Sequence, residues 1–113
     1  MDIKMYEENG FNSIQLDFIK AGLNKDLDVS LYAKKEFNWM QMQQIYWGLE
    51  DGINVSIYAL PQYTCSQMAE IRLGLEANLN ISIYANPKYD KYEMRNFRNY
   101  LSLRKKAGLD ERW

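Results

Sequence analysis

The sequence contains no histidine and only one cysteine, and these two shortages exclude much of the chemistry that proteins perform. Without histidine, the usual serine and cysteine triads, histidine-based metal sites and the commonest general base are ruled out. The single cysteine, Cys65, cannot form an internal disulfide and is typical of a reducing cytosol. Since no candidate base neighbours it, we interpret Cys65 as a small, inert residue. We therefore expect no enzyme, no catalytic or metal-binding residue and no cofactor.

Long hydrophobic runs are also missing. No stretch approaches the roughly 20 apolar residues that a membrane helix needs, and the N-terminal MDIKMYEENG lacks the apolar run of a signal peptide. A hydrophobic content of 47% and a charged content of 26% are ordinary for a folded soluble protein, and 113 residues suit one domain. The sequence therefore predicts one cytoplasmic domain, residues 1–113, without membrane association.

Charge of one sign does not dominate the chain, whose formal net charge is −1, but the charges are unevenly distributed. Residues 1–87 carry 6 basic and 11 acidic side chains, net −5, whereas residues 88–113 carry 8 basic and 4 acidic ones, net +4. This asymmetry can orient a partner, but it is too small to indicate nucleic-acid binding. Adjacent carboxylates such as Glu50 and Asp51 point apart on a helix, so we expect solvated surface there.

The sequence does contain an internal repeat of 26 residues. The segments VSLYA, VSIYA and ISIYA begin at Val29, Val55 and Ile81, and IKMYE at Ile3 fits the same frame. Further columns keep their character at this spacing: Leu16, Met42, Met68 and Met94; Ile19, Ile45, Ile71 and Phe97; Leu23, Leu49, Leu75 and Leu101. Because so many columns agree, we predict four copies, at about residues 3–28, 29–54, 55–80 and 81–110, the outer two being degenerate.

Each copy has the pattern of two helices. Asp28, Asn54 and Asn80 are expected to cap a first helix, which Pro61 and Pro87 keep short. A second helix has N-caps at Asn38, Thr64 and Asp90, capping-box partners at Gln41, Gln67 and Glu93, and closing left-handed residues at Gly52 and Asn78. Since one small helix pair cannot cover its own apolar face, the sequence predicts an all-α fold, a short α-solenoid of four helix-turn-helix repeats with modified ends.

Two further columns concern the packing of successive copies. Glycine at positions 22, 48 and 74 predicts close approach of the next copy, since no side chain stands in the way. The last copy has Tyr100 instead, and its helix continues about one turn further, so we interpret it as a C-terminal cap. The tyrosine column at positions 6, 32, 58 and 84 resembles a base-stacking ladder. Its regularity favours instead a core position with a hydrogen-bond partner for the hydroxyl.

The segment QMAEIRLGLEANLNISIYANPKY resembles the short Q-M-x-x-I-R-x-G-L-E helical repeats that occur in tandem in proteins of gut Firmicutes, their phages and their mobile elements. The likeness spans about Ile3 to Leu101 and is most specific at Gln67, Met68, Ile71, Arg72, Gly74, Leu75 and Glu76. The first copy departs from it, with Glu7-Glu8-Asn9-Gly10 in place of Ala-x-Pro. The resemblance implies a phage or mobile-element origin in a bacterial host, and it brings no catalytic residues.

The second copy differs from the others by carrying aromatic residues outside the shared core columns. Tyr46 stands in a column of basic residues and lies on the same helix face as Trp39, so we expect both to be exposed. Met40 and Trp47 form a second pair, for which burial against the next copy stays open. Because aromatic residues and methionine are enriched in protein-binding hot spots, we predict a partner-binding surface of Trp39, Met40, Gln43, Tyr46 and Trp47.

The basic last copy is a second candidate. We predict that Tyr92, Arg95 and Arg98 of this copy, together with Arg72 of the third copy, contribute to partner binding, although cations near a helix C-terminus also complement its dipole. The favoured function is a non-catalytic protein-binding module. By analogy with other small phage and mobile-element proteins, our hypothesis is a stoichiometric inhibitor of a host defence protein such as a nuclease, for example an anti-CRISPR. The alternative is nucleic-acid binding by Arg72, Arg95, Arg98 and Lys105. We expect a protein partner and a monomer or weak homodimer.

Overall fold

A computed structural model describes residues 3–111, and every regular element in that range is a helix. The α-helices are α1 (Lys4–Glu8), α2 (Ser13–Asn24), α3 (Trp39–Glu50), α4 (Cys65–Glu76) and α5 (Lys91–Lys106). Three-residue 3-10 helices at Val29–Leu31, Val55–Ile57 and Ile81–Ile83 precede α3, α4 and α5. The prediction of an all-α chain is therefore confirmed over these residues. Within the same range, no helix combines the length and the apolar character of a membrane span.

Capping boxes fix the start of the four longest helices. The cap side chain accepts a hydrogen bond from the N–H three residues later, and the side chain at that later position accepts one from the cap N–H. The cap and partner pairs are Asn12 and Gln15, Asn38 and Gln41, Thr64 and Gln67, and Asp90 and Glu93. Each box satisfies N–H groups that have no partner inside the helix, so the local sequence sets where the helix begins. The boxes predicted for α3, α4 and α5 are confirmed.

Residues with positive φ close the same helices. Gly52 has φ 72° after α3, and Asn78 has φ 56° after α4, as predicted. Asp26 (φ 56°) and Gly108 (φ 72°) occupy the matching places after α2 and α5. This left-handed conformation redirects the chain, and glycine, asparagine and aspartate adopt it at the lowest cost.

The first helix of each predicted pair is a single 3-10 turn in the second, third and fourth copies. Asp28 and Asn54 cap their turns by accepting a hydrogen bond from the serine N–H two residues later, as predicted. The same prediction is wrong at Asn80, whose side-chain oxygen accepts from the Ser82 hydroxyl instead. In the first copy, the matching segment is the α-helix α1.

The four longest helices pack in chain order, α2 against α3, α3 against α4, and α4 against α5. The chain measures 50 × 26 × 16 Å, which fits a row of helices spaced by about 8–10 Å. The core columns face inward, and their fully buried members are Ile19, Met42, Ile45, Met68, Ile71, Met94 and Leu101. Each helix therefore covers apolar surface that its neighbour cannot bury alone.

A buried tyrosine closes each of the three junctions between these helices. Tyr32, Tyr58 and Tyr84 are 0% exposed, and burial raises the pKa of their phenols because water cannot solvate the phenolate. Their hydroxyls donate to the backbone carbonyls of Phe18, Gln44 and Glu70 at 2.6, 2.6 and 2.7 Å. A Cβ added at Gly22, Gly48 or Gly74 would lie 2.1, 2.2 or 2.1 Å from these hydroxyls. The core tyrosines predicted at positions 32, 58 and 84 and the close approach at the glycines are confirmed, whereas Tyr6, the fourth member of the tyrosine column, is only half-buried.

Candidate functional site

α3 turns three of the predicted binding residues toward solvent. Met40 is 41% exposed, Trp47 is 37% exposed, and Gln43 lies half-buried between them. At about 100° per residue, the three positions fall within about 60° of one another on the helix. Leu73, which occupies the position of Trp47 on α4, is also 37% exposed. We name Met40, Gln43, Trp47 and Leu73 the outer patch.

Arg72 connects the outer patch to the junction between α3 and α4. Its guanidinium carbon lies 5.3 Å from the centroid of the Trp47 ring, within the range of a cation–π interaction. Its Nε donates to Gln44 Oε1 at 3.0 Å, and its Nη1 lies 2.8 Å from Glu76 Oε2. Arg72 is therefore held by partners within the chain, and it orients the indole that the outer patch exposes.

Tyr46 does not belong to this surface, and the prediction of its exposure is wrong. The residue is 8% exposed, with its ring 5.8 Å from that of Phe18 and 6.5 Å from that of Tyr32. Trp39 is half-buried rather than exposed. Tyr46 packs against Phe18 of α2, and Trp39, seven residues earlier, lies within about 20° of it on the helix, so neither is part of the outer patch.

The burial of Tyr46 follows from its position, which contacts the preceding helix in three copies. Arg72 reaches Gln44, and Arg98 Nε reaches Glu70 Oε2 at 2.7 Å, just as Tyr46 reaches Phe18. A spacing of 28 residues separates the members of each pair. A long arginine side chain can bury its stem while its charged end finds a partner, so arginine at this position did not indicate exposure. The 28-residue spacing was the signal that could have identified Tyr46 as a packing residue.

One buried carboxylate engages the two arginines predicted on α5. Glu70 is 4% exposed, and Arg95 Nε and Arg98 Nε lie 3.1 and 2.7 Å from its two oxygens. Removing such partners is strongly destabilising, because a buried charge would remain uncompensated. Tyr92 is instead 61% exposed, with Lys91 Nζ 5.1 Å from its ring centroid. Tyr92 is therefore a surface residue, whereas the arginines link α5 to α4.

A surface depression that we did not predict lies at the C-terminal ends of α3 and α4. Its volume is about 540 Å³, and Asp51 and Glu76 are among its lining residues. The nearby Asp51 carboxylate, with burial as a second cause, raises the pKa of Glu76, and Arg72 opposes this rise. The matching positions one copy earlier form an ion pair between Lys25 and Glu50. The common spacing of 25 residues was the sequence signal for both pairs.

Neither a cluster of metal ligands nor a similarity to known proteins indicates a function for the chain. Within residues 3–111, no three histidine, cysteine, aspartate or glutamate side chains converge as metal ligands. No family model, curated protein or solved structure matches the chain. Its function is therefore inferred from its own contacts and exposed surfaces.

Proposed function

We propose that the chain is a short α-solenoid of four helix-turn-helix units that works as a non-catalytic protein-binding module. The outer patch carries the proposal, because Met40, Trp47 and Leu73 leave 37–41% of their surface exposed on two neighbouring helices. Tryptophan and methionine are enriched at the centres of protein interfaces. A partner that covers them would gain about 25 cal/mol for each Å² of apolar surface removed from water.

The solenoid part of the proposal is supported by the equivalence of successive junctions. The three tyrosine hydroxyl bonds differ in length by only 0.1 Å, from 2.6 to 2.7 Å, and the glycines beneath them leave the same space. α2, α3 and α4 each contain 12 residues and begin with the same capping box. Equivalent units in a row place equivalent positions on one continuous face, which is how repeat proteins build extended binding surfaces.

Trp47 has the properties of an interface anchor. Its ring is large, it is 37% exposed, and Arg72 holds it from the α4 side at 5.3 Å. Because the indole is already oriented, binding would cost little side-chain freedom. Gln43, between Met40 and Trp47, supplies a polar group that can fix the orientation of the partner.

The specific form of this proposal is an inhibitor that covers the surface of a host defence protein, such as a nuclease. The resemblance to repeats from phages and mobile elements motivates it, and such inhibition requires shape complementarity without a cofactor. The net charge of +4 in residues 88–113 would steer a partner whose facing surface is acidic.

Nucleic-acid binding, the alternative, has weaker support from the contacts of its candidate cations. Arg72 pairs with Glu76, and both Arg95 and Arg98 pair with Glu70. Lys105 Nζ donates to the carbonyls of Ala77 and Asn78 at 3.0 and 2.9 Å. Phosphate contacts would compete with these bonds, and affinity would fall steeply with salt concentration.

Affinity capture with matched variants tests the binding module. The bait variant Met40→Ser/Trp47→Ser removes the apolar side chains of α3, while Ile57→Ser/Leu60→Ser removes two side chains that are also 37% exposed but lie outside the outer patch. We expect wild type and the second variant to retain the same protein from nuclease-treated extract of the source cell, and the first variant to lose it. Circular dichroism must show that all three baits are folded to the same extent.

Two results would contradict the proposal. Capture that is equal for the wild type and Met40→Ser/Trp47→Ser would exclude the outer patch as the binding surface. Direct binding of purified protein to RNA or DNA, with a steep salt dependence and no effect of the same variant, would support the alternative.

A further inference from the structure

Each junction between successive helices uses the same set of polar contacts. A glutamine Nε2 of the earlier helix donates to a backbone carbonyl of the next copy: Gln15 to Phe37, Gln41 to Tyr63 and Gln67 to Tyr89, at 2.9, 2.7 and 2.7 Å. A tyrosine hydroxyl of the next copy donates back to the earlier helix, directly above a glycine. The earlier helix therefore offers its successor an amide donor, a carbonyl acceptor and the space above the glycine.

α5 lacks the donor and the space at the matching positions. Glu93 replaces the glutamine, and an ionised carboxylate accepts hydrogen bonds but cannot donate one to a carbonyl. Tyr100 replaces the glycine. Since a single Cβ at Gly74 would already lie 2.1 Å from the arriving hydroxyl, a whole phenol ring leaves no room for it.

The surroundings of Tyr100 hold it in this position. The Arg104 guanidinium carbon lies 5.8 Å from the ring centroid, and its Nη1 lies 3.4 Å from the Tyr100 hydroxyl. Arg104 Nε also donates to the carbonyl of Asp110, beyond the end of α5. Glu111 accepts a hydrogen bond from the N–H of Asn80, at the start of the preceding 3-10 helix. The segment after α5 therefore folds back to Asn80, at the boundary between the third and the fourth copy.

We infer that Glu93 and Tyr100 form a built-in stop, which prevents a further unit of the same kind from docking on α5. The first unit of a second copy of this chain is the most immediate candidate for such docking. Repeat units with matching ends can add head to tail without closing, and growth of this kind produces filaments. Glu93 removes the amide donor and Tyr100 fills the space above the glycine position, so both residues oppose the docking of a further unit. The stop is independent of the outer patch and of the function proposed for it.

Two extended chains test this inference. In both, a second copy of residues 51–80 replaces residues 103–113, which places a fifth unit behind α5 in the register of the earlier junctions. One chain keeps Glu93 and Tyr100, and the other carries Glu93→Gln and Tyr100→Gly. We expect the added helix to dock only in the second chain, with its amide hydrogen exchange slowed about tenfold or more. In the first chain, the added segment should exchange and be cleaved by protease like an unfolded one.

Two controls make the outcome decisive. Insertion of a second copy of residues 55–80 between Asn80 and Ile81 shows whether the added unit folds where glutamine and glycine receive it. Glu93→Gln/Tyr100→Gly in the unextended chain measures the cost of the substitutions alone. Equal protection of the fifth unit in both extended chains would overturn the inference. Protection in neither, while the inserted copy folds, would overturn it as well, because restoring glutamine and glycine would not have opened the end.

Discussion

The α2–α3 and α4–α5 junctions have the same geometry but opposite chemistry. In each, a residue of the later helix contacts the residue 28 positions earlier. At the first junction the rings of Phe18 and Tyr46 lie 5.8 Å apart. At the last, Arg98 Nε lies 2.7 Å from a carboxylate oxygen of the buried Glu70. An apolar pair and an ion pair therefore occupy the same place between equivalent helices.

This difference separates the contact that every junction shares from the contact that changes between junctions. The tyrosine above a glycine recurs at all three junctions with the same hydroxyl bond, so it sets how closely the helices approach. The pair at 28-residue spacing changes from one junction to the next. An aromatic pair gains from apolar burial, whereas a buried carboxylate must recover its desolvation cost from its arginine partners. Each junction thus combines the shared tyrosine–glycine contact with a residue pair of its own.

High pH should have the largest effect, because it acts on the contact that all junctions share. Burial raises the pKa of Tyr32, Tyr58 and Tyr84 above the ordinary 10.0. Since the folded pKa exceeds the unfolded one, the stabilisation is complete below pH 10 and is lost as pH rises beyond it. Each phenol contributes about 1.4 kcal/mol per pH unit, so the three together contribute about 4 kcal/mol for each pH unit between the unfolded and the folded pKa. Denaturant unfolding at increasing pH measures this loss.

Tyr58→Phe provides the control for this titration. The variant loses one hydroxyl bond at every pH, but it also removes one ionisation, so its stability should decline less steeply above pH 10. A wild-type free energy of unfolding that stays constant across this range would mean that the phenols ionise while folded.

Core truncation should affect neighbouring units equally. Ile45 and Ile71 are both 0% exposed and occupy the same position on α3 and α4. Replacing either with alanine should lower the free energy of unfolding by about 2–5 kcal/mol, from lost apolar burial and the cavity that remains. Urea unfolding of the two variants measures both values. A difference larger than about 2 kcal/mol would show that the two sites relax differently and would count against equivalent units.

The helices and the contacts that recur between them could be predicted from the sequence, because the residue patterns that specify them are local or repeated. The capping boxes depend on residues three positions apart, the tyrosine column recurs in all four copies, and the glycine column recurs in the first three. Tyr46 could not be placed from its own column, because arginine there is compatible both with solvent and with a partner on the preceding helix. Contacts such as Tyr46 with Phe18 join different copies and change their chemistry at each step. Periodicity within one helix therefore does not reveal them.

The variable pair can be tested by exchanging its chemistry. Tyr46→Arg places an arginine against Phe18, which offers no carboxylate, and close to Lys25, whose Nζ lies 5.6 Å from the Tyr46 ring centroid and already pairs with Glu50. The variant should therefore lose about 1–3 kcal/mol, because the new cation is buried without a partner of its own. Phe18→Glu/Tyr46→Arg recreates the pair found between Glu70 and Arg98 and should recover part of this loss. A double-mutant cycle from urea unfolding should give a favourable coupling of about 0.5–3 kcal/mol. Zero coupling would mean that the two positions tolerate their residues independently.

The smallest effect is expected where α3 and α4 end, at the carboxylates of Asp51 and Glu76. Asp51→Lys would create the counterpart of the Lys25–Glu50 ion pair and remove a like-charge contact that raises the pKa of Glu76. Because Glu76 is 28% exposed at its side chain, the gain at neutral pH should be below about 1 kcal/mol.

A raised carboxyl pKa means that protonation of Glu76 favours the folded state. The wild type should therefore recover stability relative to the variant as pH falls toward 4.5, the ordinary value for Glu76. Thermal unfolding of both proteins at neutral and acidic pH measures this, and an advantage of Asp51→Lys that grows on acidification would show that the two carboxylates do not repel.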